Sequence, residues 1–313
     1  MTGARVPDLS VTIGGLRMKN PVIAASGIIG FGLEYHRLGV LDCFGAVVIK
    51  GTTLKPRIGN PPPRLAETPA GLLNSVGLEN PGVELVVKEM IPRLRETGVT
   101  IIVNVAGSTA EEYCAVVERL NDVDGVAALE INVSCPNVEA GGMQFGLNPS
   151  GTADLVKSIL KVTGRTLIVK LTPNAQNIVP VARAAEDAGA HAVSLINTIL
   201  GMAIDVRARR PVLSTTYGGL SGPAVKPVAL RMVWDVSNAV KIPVIGLGGI
   251  STAEDALEFI MAGASAVQVG TAMFTNPRVG REIIAGLEEW MSAEGAGSLK
   301  EIVGAAKADR KGG

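Results

Sequence analysis

Asn132, Cys135 and Asn137 fall where an apolar run gives way to a polar turn, and together they offer two amides and a thiol. The run before them, Ala127 to Val133, has the length and branched-residue content of a buried parallel strand. Pro136 has no backbone donor and ends the ladder, so Cys135 sits at a strand's C-terminal end, where parallel α/β folds place their chemistry. A lone cysteine is more often a small buried hydrophobe. With asparagines on both sides and the glycine-rich stretch Gly141 to Gly146 behind it, Cys135 reads instead as a reactive thiol.

Two lysines close apolar runs, Lys50 after Val47-Val48-Ile49 and Lys170 after Ile168-Val169. A buried lysine without an anionic partner is costly. The alternative is an ammonium that snorkels to solvent from a strand end. Other run ends carry Ser26, Gly51, Asn104 and Thr172, then Asn197 and Thr198, and finally Gly248, Gly249, Gly270 and Thr271. Lysines and asparagines gathered on one face suit an electron-rich, hydrogen-bonding ligand. The glycine turns Gly246–Ile250 and Gly270-Thr271, with a helix start near Thr252, favour phosphate, although glycines also serve tight turns. His36 and His191 are the only histidines and read as structural or solvated, which disfavours a histidine triad or a histidine-rich metal site. Cys43 and Cys114 read as packing residues, and three scattered cysteines cannot supply the ligands of a usual iron–sulfur cluster. No Gly-x-Gly-x-x-Gly follows a strand.

These residues need a scaffold that brings strand ends together. Eight strand-like runs are expected: 21–27, 46–51, 100–107, 127–135, 166–173, 192–198, 242–249 and 265–272. Helical spacing covers 83–97, 110–120, 153–162, 179–188, 225–240 and 252–262, with caps at Ser108-Thr109 and Ser251-Thr252 and stops at Gly98, Gly164, Gly189 and Gly263. The alternation predicts an α/β fold, a (β/α)8 barrel in one domain spanning 1–313, with the open doubly wound sheet as the alternative. Asp8 to Leu16 reads as a short N-terminal hairpin strand outside the barrel. The stretch from Thr52 to Pro81, with Pro61-Pro62-Pro63, reads as a long irregular loop of the kind that often carries function. Among 313 residues, 29 basic side chains balance 29 acidic ones, so charge points to neither nucleic acid nor membrane. Three cysteines, with no signal segment or membrane-length apolar run, suggest a cytoplasmic protein.

The sequence resembles the dihydroorotate dehydrogenases, flavin enzymes of pyrimidine biosynthesis. The resemblance runs in order through Lys19–Gly27, Lys50-Gly51-Thr52, Asn74–Asn80, Asn132–Asn137, Lys170–Pro173, Asn197-Thr198, Gly219–Gly222 and Gly246–Ile250. It implies FMN at the barrel mouth, held by Ser26, Lys50, Gly51, Asn104, Asn132, Lys170, Ile196, Gly222, Gly248, Gly249, Gly270 and Thr271. It implies dihydroorotate held by Lys50, Asn74, Ser75, Val76, Gly77, Leu78, Asn132, Asn137, Asn197 and Thr198. Cys135 would be the general base, and no metal is implied. A cysteine rather than a serine there resembles the soluble class 1 enzymes, and the sequence shows no membrane-binding extension at its start.

The stretches Gly141–Pro149 and Gly30-Phe31-Gly32 are similar to the NAD-linked subclass 1B, from which Ile28-Ile29 departs, since a more polar or aromatic pair is expected there. That subclass implies a homodimer within a heterotetramer, with FAD and [2Fe–2S] carried by a partner subunit. The alternatives are a fumarate-linked class 1A enzyme, or an orphan enzyme with another acceptor. Dihydropyrimidine dehydrogenase has a similar flavin barrel on a far longer chain. A flavin-free phosphate-binding aldolase barrel would account for Lys170, Gly248 and Gly249 but not for the Asn132–Cys135–Asn137 set. A catalytically dead binding subunit would be expected to have lost Cys135 or Lys50.

Overall fold

The computed structural model describes residues 7–134 and 145–307. Among them, eight parallel strands close a barrel: β1 (Val22–Ala24), β2 (Ala46–Thr52), β3 (Ile101–Val105), β4 (Val126–Asn132), β5 (Thr166–Lys170), β6 (Ala192–Leu195), β7 (Val244–Leu247) and β8 (Ala266–Val269). Each strand pairs with its sequence neighbour, and β8 closes onto β1 through Val267 opposite Val22. The strands are nearly continuous runs of valine, isoleucine and leucine because helices cover them outside and side chains fill them inside. The expected barrel is therefore present, and the open sheet is excluded.

Five of the six expected helices occupy the outer layer as single segments: Ala110–Leu120, Pro149–Leu160, Ile178–Asp187, Lys226–Ser237 and Ala253–Met261. The sixth runs from Val83 to Arg95 in three segments, the middle one wound as a π-helix. Thr109, Asn148, Asn177 and Thr252 cap helix starts through their side chains, each contributing about 1 kcal/mol. The longest helix, Val279–Glu294, is additional. Gly280 and Gly286 weaken its helical signature. Close packing requires both, since an added Cβ would lie 2.3 Å from the Phe44 ring and 2.4 Å from Ala253.

The N-terminal hairpin, Val11–Ile13 with Leu16–Met18, lies at the strands' N-terminal end, where Thr166 donates to Gly14 O at 2.8 Å. His191 Nδ1 accepts from Leu167 N at 3.0 Å, which fits the structural reading of that histidine.

The stretch from Thr52 to Pro81 is not wholly irregular. Leu65–Thr68 and Gly71–Asn74 form a hairpin that joins Gly218–Ser221 and Ile199–Gly201 in a four-stranded antiparallel sheet among the described residues. The proline run disguises it, because these strands are short, half-exposed and lack the apolar signature of the barrel. No helix among the described residues is long and apolar enough to cross a membrane.

Candidate active site

Side chains alternate along a strand, so Glu130 and Asn132 of β4 share its inward face one layer apart. Glu130 is fully buried, and its carboxylate accepts from Asn104 Nδ2 (2.8 Å), Lys170 Nζ (3.3 Å), Ser194 Oγ (3.0 Å) and Gln268 Nε2 (2.6 Å). These donors come from β3, β5, β6 and β8. Lys170, 5 % exposed, thus has the anionic partner that its burial demands. Sequence reasoning passed over Glu130. Its signal was a lone carboxylate in the apolar run 127–133.

One layer higher, Asn197 Nδ2 donates to Asn132 Oδ1 at 3.2 Å, and Asn132 Oδ1 also accepts from Ser134 N. Tyr113, buried beneath β4, donates to the Asn132 carbonyl at 2.6 Å and fixes the strand end. Thr198 lies so close to Gly219 that a Cβ there would meet its Oγ1 at 2.0 Å. Asn74 Nδ2 in turn donates to Gly219 O at 3.2 Å. Asn132, Asn197, Thr198 and Asn74 therefore form one continuous polar line from β4 to the added sheet.

The 74–80 segment joins this line. Asn60 receives its shape by donating from N to Val76 O and from Nδ2 to Ser75 O. Leu78 adopts φ +56° and reaches Gly51, whose Cβ position is 3.3 Å from Leu78 Cδ2 and 3.0 Å from Asn104 Oδ1. The Ser75 hydroxyl is buried without a hydrogen-bond partner among the described residues. Such an acceptor-donor is what a bound polar ligand would satisfy. Asn80 acts as a scaffold residue, accepting from Thr53 N and Gly82 N.

The glycines form a second group on the same face. Gly249, at φ +77°, has no room for a side chain, since a Cβ would sit 2.8 Å from Gly222 O. Gly222, at φ +96°, would clash with Gly71 Cα at 2.7 Å. Thr271 donates to Ser221 Oγ at 2.8 Å beside Gly222, and Gly248 packs toward Ile196. Gly270 keeps its Cβ position 3.6 Å from Ala25, next to Ser26, whose hydroxyl donates to Ile49 O. The arrangement is a cradle of bare backbone.

The helix start near Thr252, which the sequence put beside the glycine turns, is capped from within the chain. Asp255 occupies it, accepting from Ser251 N (2.8 Å) and Thr252 N (3.0 Å) within a capping box. Lys226 completes the cluster at 2.6 Å from Asp255, and that hydrogen bond raises the lysine's pKa.

The backbone of Lys50 donates to Gly30 O and accepts from Thr52 Oγ1, but its ammonium makes no hydrogen bond or ion pair among the described residues; burial pushes its pKa down from 10.5, Glu79 opposes that shift and Arg64 adds to it. Arg64 and Glu79 pair with each other at 2.6 Å. Cys135, Asn137 and the glycines 141–142 lie outside the described residues; Cys135 follows directly on Ser134 in the chain. Cys43 and Cys114 are half-buried, and burial raises the pKa of both, as suits packing residues. Among the described residues no group of three His, Cys, Asp or Glu side chains is arranged to hold a metal ion. A polar cleft of about 630 Å³ lies between helices Ile178–Asp187 and Lys226–Ser237, and none of the candidate site residues lines it.

Sequence comparison gives the constellation a family. The family described as dihydroorotate dehydrogenase matches residues 8–291. The "Dihydroorotate dehydrogenase B (NAD(+)), catalytic subunit" of Desulforamulus reducens is 55 % identical over 96 % of this chain and 98 % of its own. Proteins of the same name from a Thermoanaerobacter species and Bacteroides thetaiotaomicron are 54 % and 52 % identical, covering 96 % and 95 % of this chain and 100 % and 98 % of theirs. Their names bear out the resemblance to the NAD-linked subclass. With barrel, polar line and sequence in agreement, the chain belongs to the dihydroorotate dehydrogenase family of oxidoreductases.

Proposed function

We propose that this chain oxidises (S)-dihydroorotate to orotate in de novo pyrimidine synthesis, with FMN bound at the barrel mouth. The observation that carries this is the polar line Asn132–Asn197–Thr198–Asn74 lying over the Glu130–Lys170 layer. A ring bearing imide groups and a carboxylate needs that combination of amides, a hydroxyl and a cation.

The residues present fit FMN. Gly222, Gly248, Gly249, Gly270 and Thr271 offer bare backbone for a phosphate, and a side chain at Gly222 or Gly249 would be excluded sterically. Ser26, Lys50, Gly51, Asn104, Asn132, Lys170 and Ile196 would hold the ring system. Bound there, FMN would supply the acceptor for the hydride leaving C6 of the substrate. Cys135, as thiolate, takes the proton from C5, so substrate loses a proton and a hydride and gains the C5=C6 double bond. Lys50, with Asn74 to Leu78, Asn132, Asn137, Asn197 and Thr198, holds the substrate. Burial leaves the Lys50 ammonium poorly solvated and lowers its pKa, so an anionic substrate supplies the counter-charge that the site lacks.

The relatives' printed name, a catalytic subunit linked to NAD(+), supports electrons passing on to NAD+ through a second subunit, for which the family resemblance implies FAD and [2Fe–2S]. A homodimer within a heterotetramer in the cytoplasm is the assembly proposed, with residues 1–313 as one domain. The test is spectroscopic. The purified chain is expected to show flavin absorbance that bleaches on anaerobic addition of dihydroorotate. A colourless protein unable to take up FMN, or a flavin that dihydroorotate leaves oxidised, would contradict the reading.

A further inference from the structure

Barrel interiors are ordinarily filled with branched aliphatic side chains. Here one layer is polar and built around a single carboxylate, which contacts four other strands. Stability does not account for it, because a buried ion pair is commonly no better than an apolar replacement of similar volume. An ionised carboxylate only accepts, and Glu130 takes four donors while Gln268 Oε1 is left without a partner among the described residues. The layer is thus arranged around the negative charge rather than for general hydrogen-bond balance.

Two of the four donors, Asn104 and Lys170, belong to the set that would hold the flavin. Lys170 is also the register partner of Asn132, and Asn104 is that of Glu130 itself. An ammonium has three donors, so the one given to Glu130 leaves two, and that bond fixes where they point.

We propose that Glu130 is a positioning residue that aims Lys170 and Asn104 at the cofactor and whose charge sets how readily the cofactor is reduced. The proposal rests on the FMN reading above. Two-electron reduction adds negative charge to the flavin, and a buried carboxylate nearby opposes it in a medium of low dielectric. The Lys170 cation offsets that charge only in part.

The test is equilibration of the holoprotein with a reference dye of known potential at one fixed pH. Glu130→Gln keeps the shape and an acceptor but removes the charge. At the native midpoint its reduced-to-oxidised flavin ratio is expected to rise about tenfold, or ~30 mV for a two-electron couple. Glu130→Asp retains the charge but draws it one methylene back from Lys170 and Asn104, so its ratio is expected to stay at or below native, and a rise like that of Glu130→Gln would count against the charge. Ser194→Ala withdraws one donor, leaves the carboxylate less compensated and is expected to lower the ratio about threefold. This last change is small enough to read if Glu130→Gln does not fold. An unchanged or lowered ratio in Glu130→Gln, or an unchanged or raised one in Ser194→Ala, would overturn the proposal. Failure of the unmodified chain to bind FMN would instead overturn the cofactor reading beneath it.

Discussion

Lys50 and Lys170 carry the same group in opposite surroundings. Lys170 has a buried carboxylate at 3.3 Å, whereas Lys50 is desolvated with the charges of Glu79 and Arg64 opposing each other nearby. Burial holds the Lys50 pKa below its ordinary 10.5, so the folded state releases this proton more readily than the unfolded chain does. Its charge therefore costs stability at pH values below the lowered pKa, and the cost is relieved as pH rises through it. Lys50→Met is accordingly expected to leave the melting temperature unchanged or higher while turnover falls by about 100-fold or more. Because an anionic substrate needs the charged form, KM for dihydroorotate is expected to climb as pH is raised, beginning before an ordinary lysine would lose its proton. A flat KM over that rise would contradict the substrate role. Cys135→Ala is expected to abolish turnover nearly completely while the protein stays yellow. The native rate is expected to rise with pH as the thiolate forms, and the alanine variant to lack that rise. Full activity in the alanine variant would remove Cys135 as the base.

At the scale of elements, the barrel was legible because most strands are short apolar runs ending in a glycine or polar turn, and several helices carry a cap or a glycine stop. All eight strands lie within or across the expected spans, and Ala110–Leu120 matches to the residue. What escaped was tertiary in origin. The hairpin Leu65–Thr68/Gly71–Asn74 exists through its pairing with Gly218–Ser221, far away in the chain, and its own sequence carries too little apolar alternation to announce it. Glu130 escaped for the same reason, since its meaning lies in donors from four other strands. The Thr252 helix start was legible as a cap, and Asp255 accepts from Ser251 N and Thr252 N there. Gly249→Ala, forced into φ +77° with its Cβ 2.8 Å from Gly222 O, is expected to cost about 1–3 kcal/mol and to purify with less flavin. Flavin content and melting temperature measured together would check this, and a fully flavinated, undiminished variant would contradict the cradle.

The whole molecule divides the labour between a floor and a mouth. Parallel strands carry a charged layer inside the barrel, and loops after the strands add the amides, the glycines and the half-exposed antiparallel sheet. The sequence has no Gly-x-Gly-x-x-Gly for a dinucleotide and too few cysteines for a usual cluster. The proposed passage of electrons to NAD+ through a second protein is in keeping with the relatives' printed name of catalytic subunit. The most direct measurement is steady-state oxidation of dihydroorotate by the purified chain with an artificial dye, fumarate or NAD+ as sole acceptor. The account predicts turnover with the dye alone, and with NAD+ only once the partner subunit is added. Turnover with fumarate would move the chain to the fumarate-linked class, and no turnover with any acceptor despite bound FMN would contradict dihydroorotate as the substrate.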